Sequence, residues 1–168
     1  MLRILNKIRH TGIVTEPAPR DAELEALGKQ VKRKIDRRFR GSLAIRQVDA
    51  GSCNGCELEI HALNNPYYDV ERFGVHFVAS PRHADALLVT GPVSRHMETA
   101  LRRTWLATPS PKLVIAAGTC ACDGGEFGVS YASCGAVENV IPVDAKITGC
   151  PPTPSDLLRG ILAALVGE

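Results

Sequence analysis

Residues 86–92 are Ala-Leu-Leu-Val-Thr-Gly-Pro, and this short stretch decides the fold class. Its apolar run is continuous rather than alternating, which is typical of a strand that is buried on both faces of a parallel sheet. The Gly-Pro pair that follows is a turn signal. Because a strand buried on both faces needs helices on both sides of its sheet, the stretch predicts an α/β protein.

Strands and helices of the same kind alternate through most of the chain. Further strands are predicted at 43–48, 75–79, 113–117 and 140–143, and helices at about 57–63, 94–106 and 154–165. This alternation predicts a doubly wound, flavodoxin-like parallel sheet with helices on both faces and right-handed crossovers. In such sheets ligands bind beyond the carboxyl ends of the strands.

The charge distribution divides the chain into a basic N-terminal arm, 1–41, and an α/β domain, 42–168. Residues 1–45 carry eleven Lys and Arg against five Asp and Glu, whereas the remainder carries nine against thirteen. Residues 1–20 are expected to be irregular, and Asp21 is expected to cap an amphipathic helix that ends near Phe39. The apolar stripe of this helix can lie on a membrane surface, dock on a neighbouring subunit or pack on the chain's own body.

Composition excludes several classes of protein. The chain has 168 residues, of which 45% are hydrophobic and 23% charged, enough for one domain with its own core. No apolar run is long enough to span a membrane, and the N-terminus lacks the apolar region of a signal peptide, so a cytoplasmic location is expected. With 5% aromatic residues and an acidic body, the chain is not expected to bind nucleic acid.

The six cysteines, at positions 53, 56, 120, 122, 134 and 150, are the candidate functional residues. Cytoplasmic thiols are kept reduced, so structural disulfides are not expected. Cys53 and Cys56 form a CxxC pair after the first strand, Cys120 follows the fourth strand, and Cys150 comes shortly after the fifth. Since these loops share one edge of the predicted sheet, the four thiolates are expected to hold one [4Fe–4S] cluster, with the nearby amides of 124–125 free to donate to its sulfides.

The cysteine pattern leaves other interpretations open. Four thiolates also satisfy structural zinc, although one CxxC pair with two single cysteines on an α/β body favours a cluster. A thioredoxin-like dithiol at Cys53 and Cys56 is a further alternative. Cys122 can replace Cys120 as the ligand, although the Gly-Thr-Cys approach favours Cys120. Cys134 is expected to be a buried small hydrophobe.

Several motifs, in order, resemble those of a known family. The resemblance covers nearly all of residues 42–165, and its carriers are 53–60 (Cys-Asn-Gly-Cys-Glu-Leu-Glu-Ile), 73–74 (Phe-Gly), 80–85 (Ser-Pro-Arg-His-Ala-Asp), 88–93 (Leu-Val-Thr-Gly-Pro-Val), 118–120 (Gly-Thr-Cys), 141–144 (Ile-Pro-Val-Asp) and 149–154 (Gly-Cys-Pro-Pro-Thr-Pro). The chain resembles the 20-kDa subunit of complex I, the NADH–quinone oxidoreductase, and the small subunits of [NiFe] hydrogenases. The two residues between the first two cysteines resemble hydrogenase small subunits more than complex I. The short chain, in which neither an export signal nor a further cysteine-rich domain is expected, is similar above all to membrane-bound, energy-converting hydrogenases of the formate-hydrogenlyase type.

The resemblance implies a function for the four cysteines. Cys53, Cys56, Cys120 and Cys150 match the family's cluster ligands, which implies an electron-transfer subunit with one proximal [4Fe–4S] cluster. The implied partners are a large subunit (Ni–Fe, or like the 49-kDa subunit of complex I), a ferredoxin-like iron–sulfur subunit and the subunits of a membrane arm. The implied location is the cytoplasmic face of the cell membrane. A complex I-type quinone oxidoreductase and a zinc-stabilised interaction module remain alternatives.

The sequence also predicts a position or a role for four other residues near the cysteine motifs, two acids and two basic side chains. Glu59 matches an acidic position of the family motif and can couple proton movement to electron arrival, or it can be a helix-start carboxylate with a structural role. Glu57 is expected to be solvated. Arg82 and His83 are expected on the same edge of the sheet as the cysteines.

Overall fold

The computed structural model describes residues 2–12 and 21–166 and contains one five-stranded sheet. Its strands are β1 (Leu43–Asp49), β2 (Val75–Phe77), β3 (Ala86–Thr90), β4 (Leu113–Ala117) and β5 (Ala145–Ile147). All four pairings are parallel, and the spatial order is β2-β1-β3-β4-β5. This is the strand order of flavodoxin-like sheets, so the predicted fold class is confirmed.

Six helices accompany the sheet in the described part of the chain. They are α1 (Leu2–Thr11), α2 (Ala22–Phe39), α3 (Gly55–Ala62), α4 (Arg95–Ala107), α5 (Thr119–Asp123) and α6 (Pro154–Val166). Short 3₁₀ turns occur at 70–73, 81–83, 125–127 and 137–139. Within residues 2–12 and 21–166, no helix combines the length and hydropathy needed to cross a lipid bilayer.

The sheet is covered on both faces by separate apolar clusters. On one face α2, α3 and α6 pack against the strands, and on the other face α4, α5 and the segment 137–141 do so. Side chains of β3 alternate between the two clusters: Leu88 belongs to the first, and Leu87 and Val89 belong to the second. Full burial of one such side chain contributes about 1.5–3 kcal/mol. The continuous apolar run therefore serves two cores at once, as the sequence predicted.

Helix α2 packs on the chain's own body. The Asp21 carboxylate accepts hydrogen bonds from the amides of Glu23 and Leu24, at 2.9 and 3.1 Å, and so caps the helix as expected. Of its apolar stripe, Val31 and Ile35 are fully buried in the first cluster, and Leu27 is partly buried and packs against it. The sequence left open whether this stripe lies on a membrane surface, docks on a neighbouring subunit or packs on the chain's own body. The structure shows that it packs on the chain's own body. The division of the chain at residue 41 stays a prediction.

Two local expectations about secondary structure are wrong. Residues 2–11 form a helix rather than an irregular segment, while the rest of the first twenty, 13–20, lies outside the described residues. The last strand runs over 145–147 instead of 140–143. Val140 and Ile141 are apolar because they enter the second cluster from a loop. Pairing with β4 begins only at Asp144, whose amide donates to the Val114 carbonyl at 2.9 Å.

Candidate functional site

A pocket of about 170 Å³ lies at the edge of the sheet where the strands end, and four cysteines line it. Cys53 and Cys56 reach it from the loop after β1 and the first turn of α3. Cys120 reaches it from α5, just after β4, and Cys150 from the loop between β5 and α6. The structure thus brings together the four cysteines that the sequence singled out.

The four thiols influence one another electrostatically. Burial raises the pKa of Cys56 to about 11, and Glu57 and the other three cysteines contribute to this rise in that order. Burial also raises the pKa of Cys120, followed by the effects of Cys150 and Cys53. The neighbouring sulfurs therefore disfavour the thiolate forms of Cys56 and Cys120 in the absence of a positive charge. A cationic centre in the pocket would relieve this repulsion and hold all four as thiolates.

Two glycines leave room for the sulfur atoms. A Cβ atom at Gly118 would lie 2.5 Å from the Cys56 sulfur, and one at Gly125 would lie 2.8 Å from the Cys120 sulfur. Both glycines also have positive φ angles, +91° and +52°, which residues with side chains rarely adopt. The positions of Cys56 and Cys120 therefore require glycine at these two sites.

Hydrogen bonds shape the CxxC loop before α3 begins. The Asp49 carboxylate, at the end of β1, accepts from the amides of Gly51 and Ser52 at 2.8 Å each. The Ser52 hydroxyl in turn accepts from the amide of Asn54 at 3.2 Å. Asn54 has a left-handed backbone, with φ of +71°, which turns the chain into the helix. This series of turns directs the two cysteines of the loop to the same pocket.

The other two cysteine loops are tied directly to each other. The Thr119 amide donates to the Gly149 carbonyl at 2.8 Å, and the Gly149 amide donates to the Thr119 hydroxyl at 3.3 Å. Thr119 precedes Cys120 and Gly149 precedes Cys150, so this exchange sets the separation of the two thiols. The loops after β4 and β5 are thus joined by hydrogen bonds on the residues that precede the two cysteines.

The remaining two cysteines point away from the pocket. Cys122 is buried in the second cluster, and its thiol donates to the carbonyls of Ala116 and Ile147 at 3.6 and 3.5 Å. Burial raises the pKa of Cys122, as expected for a thiol inside a core. Cys134 is buried as predicted, and its thiol also donates to the Glu98 carboxylate at 3.4 Å. Of the two candidates for the third position, the one that lines the pocket is the cysteine at 120.

One of the two acids of α3 differs from its expectation. Glu57 is only 6% exposed, so the expectation that it is solvated is wrong. It accepts a hydrogen bond from the Thr90 hydroxyl at the end of β3, and the sequence offered no signal for this contact because the two residues lie far apart in the chain. Glu59 is half-buried on the same helix and is not among the residues that line the pocket.

Other expected site features lie elsewhere or are already engaged. Arg82 and His83 line a separate pocket beside Lys112, where β3 and β4 begin, so their expected position on the cysteine edge is wrong. Arg82 and His83 lie there because the short connection between β2 and β3 brings the chain back to the edge of the sheet at which the strands begin. The amides of 124 and 125, expected to be free for a cluster, donate instead to the Cys120 carbonyl and the Asp123 carboxylate.

The four-sulfur pocket is unlike a site for a single metal ion. Among residues 2–12 and 21–166, no three His, Cys, Asp or Glu side chains are grouped so that they could hold one such ion. The donors that line the pocket are four sulfur atoms, the ligand type that iron–sulfur clusters and structural zinc share.

Sequence similarity places the chain in a family. Residues 53–164 match the family described as NADH ubiquinone oxidoreductase, 20 Kd subunit, and this match covers most of the chain. The chain belongs to that family. All four pocket cysteines lie within the matched region.

Relatives in the family are subunits of oxidoreductase complexes. Formate hydrogenlyase subunit 7 of Escherichia coli is 43% identical over 89% of this chain, and the chain spans 57% of that relative's length. The probable membrane-bound hydrogenase subunit mbhJ of Pyrococcus furiosus is 48% identical over 72% of each chain. A chain of the archaeal membrane-bound sulfane sulfur reductase superposes with a TM-score of 0.66 at 32% identity, covering 82% of this chain and 74% of that one. Each of these names is that of an oxidoreductase complex or of one of its subunits.

Proposed function

We propose that this chain is the electron-transfer subunit of a membrane-associated [NiFe] hydrogenase of the formate-hydrogenlyase type, carrying one proximal [4Fe–4S] cluster. The observation that carries the proposal is that four thiols from three separate loops line one pocket at the edge of the sheet. The proposed ligands are Cys53, Cys56, Cys120 and Cys150. The similarity to formate hydrogenlyase subunit 7 and to mbhJ supports the hydrogenase type.

The donor set and the pocket suit a cluster. Zinc binds thiolates at about 2.3 Å, so four ligands of one zinc ion must close around a single atom. Here the sulfurs border a pocket of about 170 Å³, which is space for a core of several atoms. Gly118 and Gly125 leave room for two of the sulfurs, those of Cys56 and Cys120. Structural zinc is therefore the less favoured occupant.

The chain's own residues hold and shield the site. A bound cluster supplies reversible one-electron chemistry whose potential depends on burial, nearby charge and hydrogen bonds. Pro92 and Phe127 border the pocket and limit the access of water to it. Cys53 and Cys150 are exposed, so the pocket is open on the side where these two thiols lie. No side chain of this chain is needed for bond making in this role.

Exposed apolar side chains beside the pocket support a partner that covers it. Phe127, which borders the pocket, is 65% exposed, and Val129 and Tyr131, further along the same segment of the chain, are 70% and 98% exposed. Large apolar groups that remain exposed next to a site commonly mark a protein interface. We assign this surface to the large subunit, with the ferredoxin-like iron–sulfur subunit as the other electron-transfer partner.

Helix α1 supports a peripheral position on the cytoplasmic face of the membrane, next to the membrane-arm subunits. Its large apolar side chains are 57–81% exposed and its other face is basic, with no acidic residue in residues 2–11. Helices with one apolar and one cationic face bind at membrane interfaces. Those apolar side chains are Leu2, Ile4, Leu5 and Ile8.

A complex I-type quinone oxidoreductase is the second candidate. The description of the family, NADH ubiquinone oxidoreductase, favours it, and the cluster would there pass electrons to quinone beside a partner like the 49-kDa subunit. In either complex we propose Glu59, one turn along α3 from Cys56, as a proton-coupling acid. An E59Q variant is then expected to weaken the pH dependence of turnover without changing the iron content.

Metal analysis of the full chain, purified anaerobically without its partner subunits, tests the proposed function, and analysis of the purified complex identifies the type of complex. We expect about four iron and four sulfide per chain and the electron paramagnetic resonance signal of a reduced [4Fe–4S] cluster. Serine variants of each proposed ligand should lose that signal, whereas C134S should keep it. One zinc per chain without sulfide would refute the proposal, and nickel in the co-purified large subunit would distinguish hydrogenase from quinone oxidoreductase.

A further inference from the structure

Glu57 is a buried acid directly beside a proposed ligand. It follows Cys56 in the first turn of α3 and is 6% exposed. Its Oε1 atom accepts a hydrogen bond from the Thr90 hydroxyl, whereas its Oε2 atom is buried with no hydrogen-bond partner within the described part of the chain. Burial of a carboxylate in this state is costly and uncommon in native proteins. Packing alone gives no reason for an acid at this position.

Thr90 holds the carboxylate in a fixed place. Thr90 is the last residue of β3 and is completely buried, and its carbonyl accepts from the Ala50 amide at 3.0 Å. Its hydroxyl has one proton and two possible acceptors, Glu57 and the Val48 carbonyl, which is 3.4 Å away. Since 3.4 Å is long for a hydroxyl hydrogen bond, Glu57 is the main acceptor. The acid is thus anchored to the sheet and cannot turn out to solvent.

We infer that Glu57 is a positioning residue that lowers the reduction potential of the cluster. The inference rests on the proposed function, since it concerns the same four-cysteine site. A fixed negative charge opposes the arrival of an electron, and this effect is strong where water is excluded. Thr90 keeps the carboxyl group oriented, because its hydroxyl donates a hydrogen bond to Oε1.

The electrostatic effect of Glu57 on Cys56 is consistent with this role. After burial, the charge of Glu57 is the largest contribution to the raised pKa of the Cys56 thiol. An acid that opposes negative charge on a sulfur ligand also opposes negative charge on a cluster that the sulfur holds. Glu57 acts on the potential through its fixed position next to Cys56 in the first turn of α3, without contact with a substrate.

Redox titration at one fixed pH tests the inference. The full chain is reconstituted anaerobically with iron and sulfide, and the midpoint potential is followed by electron paramagnetic resonance. E57Q keeps the side-chain volume and removes the charge, and we expect the equilibrium constant for reduction to rise about tenfold, or 59 mV for one electron. E57D keeps the charge and loses volume, and its potential should stay close to that of the wild type.

Matched controls separate charge from packing. D123N removes an exposed carboxylate near Cys120, and its shift should be clearly smaller because solvent screens that charge. The inference would be overturned if the midpoint potential shifted no more in E57Q than in D123N. It would also be overturned if the midpoint potential shifted in E57D but not in E57Q. If E57Q binds no cluster, the T90V and T90S variants replace it in the test. A midpoint potential that is raised in T90V but unchanged in T90S would support the inference. A midpoint potential that is unchanged in T90V would overturn it. Wild-type chain that binds no cluster would instead refute the proposed function.

Discussion

Replacement of Gly118 by alanine should remove the cluster while leaving most of the fold intact. Gly118 has a φ of +91°, and an added Cβ would lie 2.5 Å from the Cys56 sulfur, so the sulfur must move. The backbone strain costs roughly 1–3 kcal/mol. Relief of the contact costs about another 1–3 kcal/mol in a packed site. The displaced sulfur can then no longer reach the position that the other three thiols define.

Gly128 provides the matched control for this variant. It also has a positive φ, +49°, but no atom lies within 4 Å of the position that a Cβ would occupy. G128A therefore introduces the backbone strain without the contact with a sulfur. Its free energy of unfolding should fall by only roughly 1–3 kcal/mol. The difference between the variants corresponds to roughly 2–12 °C in the melting temperature for a chain of this size.

The assay combines metal analysis with thermal unfolding of the metal-free chains. G128A should bind iron and sulfide as the wild type does after anaerobic reconstitution, whereas G118A should bind little of either. Circular dichroism should show G118A folded but melting below G128A. Equal iron content in the two variants would show that cluster binding does not depend on the space that Gly118 leaves for the Cys56 sulfur, and would refute the reasoning about this ligand.

Three further predictions concern other parts of the molecule. C122S should keep full iron content by colorimetric analysis but lower the melting temperature, because a hydroxyl replaces a buried thiol in the core; loss of iron would make Cys122 a ligand. Y131A should reduce co-purification of the large subunit, whereas L106A, which removes a 71% exposed side chain from α4, should not; equal effects would argue against the docking surface. D156A should destabilise α6 by about 1 kcal/mol at neutral pH, because Asp156 and Thr153 cap the helix reciprocally. These contacts lower the pKa of Asp156 in the folded chain, so its contribution to the free energy of unfolding is present above the ordinary value of 3.8 and is lost as the pH falls through the folded pKa. The difference between D156A and wild type in chemical denaturation should therefore disappear in acid.

Local pattern was sufficient for much of the fold. The apolar run of β3 indicated burial on both faces because successive side chains alternate between the two sides of a strand, and both sides are covered here. Helical periodicity likewise identified α2, and its cap at Asp21 was readable from residue type. The error at residues 140–143 has the opposite cause, since loop residues that enter a core are as apolar as strand residues. Periodicity alone cannot distinguish these two situations.

The amino-acid sequence by itself determined the α/β class, because apolar runs and turn residues are local patterns. It also determined the common edge of the four cysteines, because the carboxyl ends of parallel strands lie at one edge of the sheet. Only the tertiary structure decided that Cys120 lines the pocket while Cys122 enters the core, and that Glu57 meets Thr90. The physical reason is that the direction of a side chain depends on what packs around it. Those surroundings come from segments that are distant in the chain and adjacent only after folding.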